Sequence, residues 1–184
     1  MEAARHRRAL GALGVMAFVE ELASAAIGAT FNQYARSELR RRRLARYLDA
    51  RRTASIVLVG EAAGYRGARV SGIPFTSERQ LTGTGPAEAT ATTVHAVLED
   101  LGIESEVLLW NVVPTHPGTA TSNRRPTRTE VAESLPFLRE VVAGRRAIAV
   151  GRVAQSVVGD PYVRHPARGG AQEFRARMLQ LLTT

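Results

Sequence analysis

Residues 60–78, GEAAGYRGARVSGIPFTSE, gather groups that can do chemistry on a flat, polar ligand. Two carboxylates, Glu61 and Glu78, could each orient a water molecule. Two rings, Tyr65 and Phe75, offer faces on which a planar base can stack. Glycine lets a ligand come close to the backbone, and the Ile73-Pro74 step stiffens the chain just ahead of Phe75. Further along stand Asn111, whose amide can donate and accept together, and His165, whose imidazole can donate to developing negative charge.

These residues need elements to hold them. Ile56-Val57-Leu58-Val59 reads as a buried strand over 56–59 running directly into the glycine-punctuated segment. A strand followed by such a loop is where open α/β sheets place ligands. The 60–86 loop is long for a compact domain, which itself points to function. The pattern then alternates: a helix over 87–101, a strand over 107–110, a loop over 111–126, and a helix over 127–143. Thr127-Arg128-Thr129-Glu130 fits a capping box and Gly144 a stop for that helix. A strand over 147–150, a short helix to 158, a short strand over 162–164 and a last helix over 171–182 complete the series. Two helices, over 9–27 and 37–51, precede it. The reading is a three-layer α/β/α sandwich around a mainly parallel four-stranded sheet, with extra N-terminal helices. It makes 1–184 one domain, with 1–52 a helical region packed on it.

Composition narrows the function. The 184 residues carry a formal net charge of +8, with a pI near 11.2. That favours a polyanionic partner, and no long apolar segment directs it to a membrane. All 25 basic residues are arginine. Without lysine there is no side-chain amine for a Schiff base and no Walker-type phosphate loop. Without cysteine there are no disulfides, thiolate nucleophiles or cysteine-bound metals. The spacing of His6, His95, His116 and His165 offers no metal site. His6 and His95 read as surface residues, and His116 as a possible neighbour of the Asn111 cleft. The four arginines at 40–43 read as a solvated helix face or as phosphate contacts. The N-terminus imitates a secretory signal, but Glu20 and Glu21 break it, so a cytoplasmic protein is expected.

GEAAG with SGIPFTSE, Asn111 in LLWNVVP, NRRPT from Asn123, and Arg164-His165-Pro166 resemble, in order, the motifs of the uracil-DNA glycosylase superfamily. The absence of cysteine places the resemblance with branches that lack an iron–sulfur cluster. The resemblance implies a monofunctional glycosylase that hydrolyses the bond between uracil, or another deaminated base, and deoxyribose. It implies no cofactor, no metal and a monomer acting on DNA. Phe75 would stack the base, Asn111 would read its edge, and His165 would stabilise the departing anion. Gly60, Ala62 and Tyr65 would complete the pocket.

Either Glu78, the first choice, or Glu61 would orient water. Ala62 stands where other branches have an aspartate or asparagine. Gly64 replaces the tyrosine that excludes the thymine methyl, and Tyr65 could substitute for it. Arg66, Arg69, Arg124, Arg125, Arg164 and Arg168 would meet phosphates. Two rivals remain. One is a silent lesion- or single-strand-binding module, consistent with the altered GEAAG loop. The other is a nucleotide-metabolising enzyme, disfavoured by the absence of GxGxxG and of lysine.

Overall fold

Four parallel strands form the centre of the computed structural model, which describes residues 12–167 and 169–182. They are β1 (Ile56–Ala62), β2 (Val107–Val113), β3 (Arg146–Val150) and β4 (Tyr162–Val163), in the order β2-β1-β3-β4. The period-two alternation of strand side chains divides the core. Val57 and Val59 join Leu108, Trp110 and Val112 on one face. Ile56 and Leu58 join Val107, Leu109 and Ile148 on the other.

Helices α1 (Ala12–Ser24), α2 (Glu38–Ala50), α6 (Arg128–Val142) and α7 (Arg152–Val158) supply residues to the first face. There Phe18 meets Trp110 and Phe137, each at 5.8 Å between ring centroids. Such pairs add about 0.5–1.5 kcal/mol to area burial. Helices α5 (Ala89–Asp100) and α8 (Ala171–Leu182) cover the second face through Val94, Leu98, Phe174 and Met178. This is the three-layer α/β/α arrangement with a parallel four-stranded sheet.

The capping box at Thr127 forms as expected, with Thr127 accepting from the Glu130 N–H and Glu130 from the Thr127 N–H. Other boundaries differ for identifiable reasons. Helix α1 ends at Ser24 because the Asn32 amide turns back to the carbonyls of Leu22, Ala23 and Ala25; positions 9–11 of the expected helix lie outside the described residues. Strands β1 and β2 each run three residues further than expected. The pairings Gly60 with Asn111 and Ala62 with Val113 continue the ladder. Asn111 therefore lies inside a strand rather than at the start of a loop. The 60–86 segment also holds two short helices, α3 (Ala68–Ser71) and α4 (Glu78–Thr82).

Of the arginine run at 40–43, only Arg42 faces solvent; the other three are partly buried. Arg40 Nε donates to the Val70 carbonyl at 2.8 Å, and Arg41 Nη1 to the Tyr34 carbonyl at 2.9 Å. Arg42 pairs with Glu38 on the same helix, and Arg43 with Glu78 on α4. Three of these guanidiniums thus tie α2 to the segments around it. Gly72 permits the close approach, since a Cβ there would stand 2.7 Å from the Arg40 Cβ.

Candidate active site

Phe75 sits at φ +53°, in the left-handed region that a bulky residue occupies only when its surroundings impose it. The restraints are visible. The buried Ser71 hydroxyl donates to the Thr76 carbonyl at 2.6 Å and accepts from the Ile73 N–H at 3.0 Å. The Thr76 hydroxyl donates to the Pro74 carbonyl at 3.1 Å and lies 3.1 Å from His95 Nε2. His95 Nδ1 in turn lies 2.9 Å from the Glu104 carboxylate. This chain of contacts fixes the backbone on both sides of the ring. Phe75 is 7% exposed: it belongs to the core cluster on the second sheet face and also lines the site cavity.

Register brings the next two groups together. Gly60 on β1 pairs with Asn111 on β2. A Cβ at Gly60 would lie 2.3 Å from Phe75 Cζ and 2.7 Å from Asn111 Oδ1, so the ring and the amide converge where glycine has no side chain. The Asn111 amide makes no hydrogen bond among the described residues and borders the cavity, although the residue is only 4% exposed. Glu61, next along β1, also lines the cavity. Burial pushes its carboxyl above the usual range, and nearby Arg125 partly opposes that.

His165 follows β4 and reaches the same cavity beside Gly151, which follows β3. Its Cβ would be 3.6 Å from a Cβ at Gly151, whose φ is +88°. The Ala167 N–H donates to His165 Nδ1 at 3.2 Å. Neutral imidazole then carries its proton on Nε2. Burial lowers the pKa of this histidine, which favours that neutral form.

The cavity has a volume of about 440 Å³, within the range of small-molecule sites. It brings together Gly64, Ala62, Glu61, Phe75, Asn111 and His165, as well as Asn123 and Arg124 from the 111–127 segment. Asn123 Oδ1 accepts from the Tyr65 N–H at 2.9 Å, joining the loops after β1 and β2. Two further lining residues carry no motif in the sequence. Glu88 reaches in from just before α5, and Arg152 from the start of α7. Only their position in the fold reveals them.

Several expectations change. Glu78 is outside the cavity lining, and its two carboxylate oxygens accept from Arg43 Nη1 and Nη2 at 2.8 and 3.0 Å. An acid occupied in that way, away from the pocket, is not placed to orient water there. Tyr65 is also absent from the lining; its ring lies under Arg66, 5.3 Å from the guanidinium carbon. His95 is half-buried in the Phe75 support rather than a free surface residue. His116 is fully buried, its ring nitrogens each 2.7 Å from the carbonyls of Ala63 and Thr119, and it pins loops instead of facing the cavity.

Among the arginines, Arg124 is held by buried Glu130 and Arg164 by Glu173. Arg69 stacks over Phe31 at 4.8 Å, while Arg66 and Arg125 are exposed with no carboxylate in contact among the described residues. Arg168 lies outside the described residues, as does His6. No group of three or more potential metal ligands occurs among the described residues, and none of their helices is long and apolar enough to cross a membrane.

A doubly covered parallel sheet, with a base-sized cavity at the carboxyl ends of its strands, defines a class of ligand-binding α/β proteins. Residues 47–181 match the family model of the Uracil DNA glycosylase superfamily, and the chain belongs to that superfamily. Its fold is similar to that of wild-type SMUG2 from Pedobacter heparinus, with a TM-score of 0.69 and 12% sequence identity over 94% of this chain and 96% of that one. At that identity the likeness concerns the fold alone. No curated protein matches the sequence.

Proposed function

We propose that this protein is a monofunctional DNA glycosylase that removes uracil from DNA by hydrolysing its N-glycosidic bond, the first step of base excision repair. The carrying observation is the convergence of Phe75 and Asn111 over Gly60, with His165 on the same cavity. It acts as a cytoplasmic monomer, and other deaminated bases fall within its range where they fit the same contacts.

In this reading the target nucleotide rotates out of the duplex into the cavity. Phe75 stacks against the base. The Asn111 amide accepts from N3–H and donates to O4, a pair of contacts that cytosine does not match. His165 donates from Nε2 to O2, where charge accumulates as the C1′–N1 bond breaks. With Nδ1 accepting from the Ala167 N–H, the single proton of the neutral ring on Nε2 is the one that can be donated.

Glu61, rather than Glu78, orients the attacking water. The water oxygen bonds to C1′ and the bonding pair leaves with N1 as the uracil anion; one water proton passes to Glu61, the other stays on the new C1′ hydroxyl, and the anion later takes a proton from solvent. With no lysine in the chain, the product is an intact abasic site. Exposed Arg66, Arg125 and Arg152 are the proposed phosphate contacts, joined by Arg69 at its stacked position.

Oligonucleotides carrying uracil, hypoxanthine, xanthine or a T:G mismatch, cleaved with alkali after incubation, test the reading. Alkali-dependent scission at uracil is the expected result. Tight binding to the uracil strand with no abasic product would instead favour the silent lesion-binding module.

A further inference from the structure

One wall of the cavity has no role in the chemistry above. Glu88 sends its carboxyl across the turn at 64–67. A Cβ added at Gly64 would meet Glu88 Oε1 at 2.0 Å, and one at Gly67 would meet Oε2 at 2.0 Å. Both glycines are therefore required for this carboxyl to lie where it does. It lines the cavity, and burial raises its pKa with no hydrogen bond or charge among the described residues offsetting the effect.

We infer that Glu88 is a specificity-determining residue, forming the pocket wall against the C5 edge of a bound pyrimidine. The inference rests on the glycosylase reading, which assigns O2 to His165 and the N3–O4 edge to Asn111. In a pyrimidine ring C2 and C5 lie opposite each other. The sheet order puts the His165 strand, β4, at one end and the Asn111 strand, β2, at the other. A ring with O2 towards β4 points C5 towards the β2 end. On that side Glu88 stands against the turn at 64–67 that follows β1, the strand next to β2 and two places from β4.

Tyr65 is turned away and Gly64 has no side chain, so the wall is supplied by a different element. A protonated carboxyl there can also face the O4 lone pairs without repulsion, which an ionised one cannot.

The test compares removal of uracil and of thymine, both opposite guanine, by wild type, Glu88→Gln, Glu88→Asp and Glu88→Ala. Shortening the side chain opens space for the 5-methyl group, and a methylene-sized change in such a pocket shifts discrimination by about 10- to 200-fold. The thymine-to-uracil ratio should rise about tenfold or more in Glu88→Ala, and by less in Glu88→Asp. Glu88→Gln, similar in size, should stay within about threefold of wild type by the same measure.

Binding of duplexes carrying non-hydrolysable 2′-fluorinated deoxyuridine or its 5-methyl counterpart gives the same ratio without turnover. If wild type removes no uracil, the glycosylase reading fails while the binding ratio still judges Glu88. An unchanged ratio in Glu88→Ala, or an equal rise in Glu88→Gln, overturns the assignment.

Discussion

Gly60→Ala tests the geometry of the pocket with a single methyl group. That methyl would stand 2.3 Å from Phe75 Cζ, 2.8 Å from Cε2 and 2.7 Å from Asn111 Oδ1. Carbon atoms in ordinary contact are about 3.5–4.0 Å apart, so the ring would have to retreat by about 1 Å or more. Neither neighbour retreats easily. Asn111 is locked in the ladder between β1 and β2, and Phe75 is held at φ +53° by Ser71 and Thr76.

Overpacking of this kind costs roughly 1–3 kcal/mol. At about 2–4 °C per kcal/mol for a chain of this size, melting should fall by roughly 2–12 °C while the fold persists. Displacing a stacking or reading group by about 1 Å costs on the order of 10²-fold in rate. Single-turnover excision from a uracil-containing duplex should therefore drop by that factor, with affinity for undamaged DNA nearly unchanged. Phe75→Leu, which shortens the obstructing ring, makes a double-mutant cycle with it. The two losses should be strongly non-additive because both act on one contact. Excision by Gly60→Ala within threefold of wild type, or full additivity, would refute the reasoning.

Other outcomes follow from the charges. In its proposed role Glu61 orients water only when ionised, and burial raises its pKa, so the rate should rise with pH through a limb above the ordinary carboxylate range. Glu61→Gln should abolish that limb, and Arg125→Ala should move it higher still by removing the opposing charge; a single-turnover pH profile measures both. Glu130, 1% exposed, is held at a pKa of about 2 chiefly by Arg124. Its stabilising contribution should be complete above about pH 4.5 and be lost as pH falls towards about 2. Solvent at the exposed Arg124 end limits it to about 1–2 kcal/mol, which acid titration of wild type against Arg124→Ala would register. If Arg66, Arg69, Arg125 and Arg152 each meet a phosphate, log affinity should fall with log salt at a slope of about −3 to −4. A slope near zero would exclude DNA as the main partner.

Much of this could be read from local sequence. The aliphatic run at 56–59, the Thr127–Glu130 cap and the alternation of strands with helices are short-range signals, and they located the sheet and its carboxyl edge. Phe75 and Asn111 stood out because each broke a pattern next to glycine or at the end of an apolar run. What stayed hidden depends on partners distant in the chain. The acid at 78 resembles any other until Arg43, 35 residues earlier, is seen to hold it. The arginines at 40–43 gave no sign of which backbone carbonyls they would meet. Glu88 reaches the pocket only because Gly64 and Gly67 leave room, and His95 supports Phe75 only through Thr76. The expected strands stop short because glycine at 60 and asparagine at 111 interrupt the aliphatic runs, whereas the β1–β2 ladder pairs these two residues and continues to Ala62 and Val113.

In the proposed function this pocket breaks the glycosidic bond of uracil, with His165 stabilising the departing base. Single-turnover excision from a uracil-containing oligonucleotide, wild type beside His165→Ala, tests it most directly. Wild type should leave an abasic site that stays intact until alkali is added. His165→Ala should be slower by roughly 10²–10³, the usual effect of removing one donor aimed at developing charge. Its DNA affinity should change far less, because that contact strengthens as the bond breaks. No uracil release by wild type, or equal losses of binding and excision in His165→Ala, would contradict the account.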